Sequence, residues 1–122
     1  MNDGSIWPVD KLTALRLGRR LVAEVPASRP GHRAFMDVRP KKSDPDAQAQ
    51  GDGWVRSDAE RGFHLEHWEY DWERIDGFDY DIGAFLVRSA GATDESELIA
   101  VLNAWSVRPG LFVYPWESED PK

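Results

Sequence analysis

Residues 68–82 read WEYDWERIDGFDYDI, and this stretch constrains the fold more than any other in the chain. Successive side chains on a β-strand point to opposite faces. A period of two therefore places Trp68, Tyr70 and Trp72 on one side and Glu69, Asp71 and Glu73 on the other. Phe78, Tyr80 and Ile82 then share a side opposite Asp79 and Asp81. Leu65, Trp68, Trp72 and Ile75 also stand at helical spacing, but the alternation is the cleaner pattern and aromatic residues favour a pleated surface. Asp76-Gly77 between the two runs is a hairpin signal. A two-residue loop would set Trp72 opposite Asp81 and Glu73 opposite Tyr80, mixing carboxylates among the aromatics. A three-residue loop, Ile75-Asp76-Gly77 with Gly77 left-handed, pairs Trp72 with Tyr80 and Tyr70 with Ile82. The expectation is an antiparallel hairpin with an aromatic core face and an acidic outer face.

That register sets Glu73 opposite Asp79 and Asp71 opposite Asp81. Like charges directly across a strand pair destabilise, by roughly 0.2–1 kcal/mol per pair, and folding alone does not require them. The stretch also concentrates charge. Residues 63–122 hold 13 acids against 4 Lys and Arg, whereas residues 1–62 hold 9 acids against 11. Segment 66–81 alone has seven acids and only Arg74 as a base, within a chain of net charge −7. Such a field repels nucleic acid and attracts basic surfaces or cations. The candidate partner-binding set is Glu69, Asp71, Glu73, Asp79 and Asp81. Trp116 joins it as an aromatic anchor, since it lies beyond Pro115 beside Glu117, Glu119 and Asp120 and tryptophan dominates binding hot spots. Two plainer readings compete: an acidic face that only solubilises, or one neutralised internally by arginines of the N-terminal half.

The remaining elements are read from periodicity and punctuation. Pro8 suits the first turn of a helix and Pro26 would end one, so a helix is expected near 8–24, with Gly18 weakening it. AFMDV (34–38) is a short strand closed by Pro40. The polar run that follows has too little apolar content to pack, and 40–53 is expected to be a mobile loop. Trp54 and Val55 begin a possible further strand. In 94–106, Asp94 caps a helix with Glu97 reaching back as a capping box. Leu98, Val101, Leu102 and Trp105 then follow as one buried stripe. LFVY (111–114) reads as a buried strand ended by Pro115. Together these imply one α+β domain over 1–122, with a mainly antiparallel sheet of about four or five strands and two helices packed on it.

Chemistry finds little support. No cysteine is present, so thiolate catalysis, thiolate metal sites and disulfides are excluded, in keeping with a cytoplasmic location. The first residues lack the basic head and apolar run of a secretory signal, and no segment reaches the length of a bilayer span. Neither a P-loop, a GxGxxG nor a Gly-x-Ser-x-Gly elbow occurs. His64 and His67 would point to opposite strand faces and so share no ion. No catalytic residue, metal ligand or cofactor is assigned, and the chain is not expected to be an enzyme. In size, charge and lack of cysteine it resembles bacterial immunity proteins and antitoxins, which block cationic nuclease clefts. The resemblance implies an inhibitor that occludes a basic site on a protein partner. The alternatives are a regulatory domain binding a divalent cation or other ligand at the acidic hairpin, and an enzyme in which segment 40–62 closes over a pocket.

Overall fold

The structure, a computed structural model, describes residues 7–72 and 84–120. Helix α1 (Val9–Arg16) buries Ala14 and Leu15 and stops before Gly18, whose φ of 84° lies in the left-handed region that L side chains avoid. The chain then enters β1 (Leu21–Val25), so the helix expected to reach residue 24 is a helix followed by a strand. LVAEV is apolar without a clear period, and such a run fits a helix face or a two-sided strand equally well. Pairing with β2 (His32–Pro40) decides for the strand. β2 extends the expected strand 34–38 at both ends.

Segment 40–53, expected to be irregular, contains helix α2 (Asp44–Gly51), in which only Ala49 is buried. The Asp46 carboxylate accepts from the Ser43 backbone N–H at 2.7 Å and from its hydroxyl at 3.0 Å. Capping of this kind starts a helix that has no apolar face. Trp54 and Val55 form no strand and are exposed.

β3 (Phe63–Asp71) and β4 (Ala84–Ala92) complete a sheet of order β1-β2-β3-β4, antiparallel throughout. The expected fold class therefore holds: α+β, with a four-stranded antiparallel sheet. One sheet face carries Leu21, Ala23, Val25, Ala34, Met36, Val38, Phe63 and Leu65, packed with Leu15 of α1 and with Leu98 and Leu102 of α3 (Glu95–Ala104). Burying each of these leucines stabilises by about 1.5–3 kcal/mol. Asp94 caps α3 by accepting from the Glu97 N–H at 2.8 Å. Glu97 reaches back to Thr93, one residue earlier than a capping box requires, accepting from its N–H and hydroxyl at 3.0 Å each. The segment expected as a strand at 111–114 makes a single bridge, Val113 to Val22, at the outer edge of β1.

Candidate partner-binding surface

The two faces of β3 decide where the acidic residues go. Register with β2 sets Leu65 opposite Val38, His67 opposite Met36 and Glu69 opposite Ala34. Glu69 therefore shares the helix-side face and is only 2% exposed. It accepts from the Ser28 N–H at 2.9 Å and the Ser28 hydroxyl at 2.8 Å, with His32 Nδ1 at 3.2 Å. Burial opposes its ionisation, but the Ser28 hydrogen bonds and the charges of His32 and Arg29 outweigh this and hold its carboxyl below the usual range. Glu69 clamps the 26–31 turn onto β3. It is a structural link, and its expected place on an exposed acidic face is corrected.

The expected hairpin register is corrected too. Tyr70 pairs with Ala84, where Ile82 was expected, and a shift between His67 and Trp68 moves the ladder by one. The turn at Asp76-Gly77 lies outside the described residues, as do Glu73, Asp79 and Asp81 with their aromatic neighbours Phe78, Tyr80 and Ile82. Asp71 ends β3 half-buried opposite His32. Trp72 follows it, with its N–H donating to the Gly31 carbonyl at 3.2 Å.

Trp68 and Tyr70 occupy the face away from the helices, as alternation requires, and there Tyr70 is fully buried. Its ring lies 6.0 Å from Phe35, and Phe35 lies 6.1 Å from Trp72. The Tyr70 hydroxyl donates to Asp120 at 3.4 Å, and burial with the nearby Asp120 charge pushes its ionisation well above the usual phenol range. Asp120 belongs to a C-terminal strap, residues 113–120. The strap leaves the β1 edge at Val113, which exchanges two backbone hydrogen bonds with Val22 at 3.0 and 2.7 Å, and reaches across to β3. Arg20 binds both Asp120 at 3.1 Å and the buried Asp37 at 3.0 Å. Arg33 binds Glu24 at 2.6 Å and Glu119 at 3.2 Å, which holds it firmly charged. The guanidinium of Arg33 sits 4.3 Å above the Trp72 ring.

At the start of the strap, Pro115–Glu117 forms one 3-10 turn. That turn stacks Trp116 on Tyr114, with ring centres 4.8 Å apart and planes 5° from parallel. Trp116 is 75% exposed. Around the pair stand Asp10, which accepts from the Tyr114 hydroxyl at 3.1 Å, and Glu117, which accepts from the Tyr114 N–H at 3.1 Å. Three residues beyond Trp116, the Glu119 side chain is 73% exposed. The strap thus links an exposed indole and its carboxylates, through Arg33, to Trp72 and the beginning of the acidic segment. Of the candidate residues, Trp116 is exposed as expected, Glu69 is buried, and Asp71 alternates onto the same sheet face as Glu69. Sequence reasoning missed Tyr114, Glu24 and Lys11; an aromatic pair flanking Pro115 was the available signal for the first.

His64 Nε2 lies 3.2 Å from Glu66, which also accepts from the Trp68 indole at 2.9 Å. His67 sits on the other face and accepts at Nδ1 from Arg88 at 3.0 Å. Among the described residues no group of three or more His, Asp or Glu side chains is placed to hold a metal ion, and no helix is long and apolar enough to cross a membrane. No protein family, no curated protein and no solved structure matches the chain.

Proposed function

We propose that the chain is a small acidic inhibitor that occludes a basic site on a protein partner, in the manner of an immunity protein or antitoxin neutralising a nuclease-type toxin. The observation that carries this reading is Trp116: a 75% exposed indole, stacked on Tyr114, on a strap that ends at the threshold of the acidic segment. A large apolar ring left in water is a poor choice for stability and a good one for an interface core. Carboxylates around it supply attraction at long range, which raises the rate of encounter with a basic surface. The cleft of about 430 Å³ beside α2 offers less to an enzyme reading. Its Asp46 and Arg56 are 3.6 Å apart and paired further with Arg61 and Asp58, so they hold α2 in place.

The test is capture of the partner from lysate of the source organism, followed by kinetics with the purified pair. Association should slow as salt is raised, and any nuclease activity of the partner should fall to background at equimolar protein. A partner that stays active when saturated would refute inhibition. Binding indifferent to salt would refute the acidic surface.

A further inference from the structure

We infer that the outer face of Trp116 is a seat for an arginine guanidinium of the partner, a proposal that rests on the binding reading above and names its chemistry. Trp116 covers one face of Tyr114 at 4.8 Å. Lys11 Nζ lies over the same ring, 4.6 Å from its centre. The phenol thus holds a cation as well as the indole, and Trp116, 75% exposed, leaves its outer face to solvent. Aromatic faces carry negative charge density that attracts cations, and this pair already holds one at Tyr114. Asp10 and Glu117 flank it with two carboxylates against the one Lys11, so the neighbourhood favours a second cation. A guanidinium fits better than an ammonium. It is planar, stacks flat on an indole, and is more weakly hydrated.

The experiment follows the Trp116 indole N–H resonance in labelled protein, assigned by its loss in Trp116→Leu. Three probes are titrated: a blocked peptide alternating Gly and Arg, and its Lys and citrulline counterparts. The arginine peptide should move the resonance to saturation, and its affinity for Trp116→Leu should be weaker by about three-fold or more. The lysine peptide should bind more weakly than the arginine peptide, and the citrulline peptide should leave the resonance in place. Equal affinity for Trp116→Leu, an equal response to lysine or citrulline, or a shift driven by protein concentration alone would overturn the inference. The last result would mean that a second copy of the chain covers the indole. If arginine binds here but a captured partner ignores the acidic residues, the functional reading fails and this site stands. If the partner needs the acids but not Trp116, the reverse holds.

Discussion

Arg61 is a buried guanidinium whose donors all meet oxygen. It reaches the carbonyls of Arg16 at 2.9 Å, Lys41 at 2.9 Å and Arg56 at 3.2 Å, and grips the Asp46 carboxylate at 2.7 and 2.9 Å. One side chain thereby joins the end of α1, the exit of β2, the first turn of α2 and the segment that follows it. Arg61→Ala leaves these oxygens without their donor and should destabilise the protein by about 3 kcal/mol in urea denaturation. Arg61→Lys should recover little, because an ammonium cannot span the fork. Limited proteolysis of Arg61→Ala should also cut within 40–53 sooner than in the wild type. A loss below about 1 kcal/mol would mean that water replaces the guanidinium. His67 makes a second test at this scale. Burial, and then the charge of Arg88, pull its ionisation below the ordinary histidine value, with Glu69 opposing. Its unfolded form therefore binds a proton at a pH where the folded form does not. Stability should fall as pH drops from about 6.5 towards the folded value and level off below it. His67→Gln should flatten that slope in denaturation at pH 7.5, 6.5 and 5.5, and an unchanged slope would assign it to other groups.

At the scale of elements, α3 was legible because its burial follows its period. Leu98 and Leu102 are fully buried, while Val101 and Trp105 are partly buried against the same core. Leu102→Ala should lower stability by about 3 kcal/mol and Val101→Ala by less than half of that. Equal losses would mean that the helix is rotated on the sheet. The β1 strand was not legible, since LVAEV is buried on both sides at Val22 and so shows no alternation. Residues 17–20 separate it from α1, with the left-handed Gly18 among them. Gly18→Ala should be destabilised by its left-handed backbone, at φ 84°, while the added methyl, 3.3 Å from Lys42 Cε, is accommodated by a small shift of that flexible chain. Helix α2 escaped notice because its support comes from Ser43, Asp46 and Arg61, none of which produces an apolar pattern. In β3 the alternation was real but was started too late. Phe63 and Leu65 fix the helix-side face by their parity, and Glu69 shares it, so a count from residue 63 would have moved this acid indoors. Trp116 was legible because a tryptophan between Pro115 and a run of acids has few ways to be buried.

Over the whole molecule, the charges fall into two populations. Arginines of the N-terminal half pair with dispersed acids: Glu24, Asp37, Asp46, Asp58, Glu95, Glu119 and Asp120. By sequence, segment 71–81 concentrates five acids with only Arg74 among them. If Asp71, Glu73, Asp79 and Asp81 serve a basic partner, changing all four to the corresponding amides should leave the fold intact, since each amide keeps the shape and one acceptor oxygen. Removing four charges takes the net charge from −7 to −3 and relieves self-repulsion, so the melting temperature should stay equal or rise. Association with the partner should slow, and its dependence on salt should flatten, because long-range attraction acts on encounter. Trp116→Leu should do the opposite, speeding dissociation while leaving association near the wild-type rate, because contacts of an anchor form after docking. A quadruple variant that melts well below the wild type would make the acids structural. One that associates at the wild-type rate would move the partner to another face. The two variants combined should lose both effects additively, since charges that steer and a ring that docks act on different steps of one binding event.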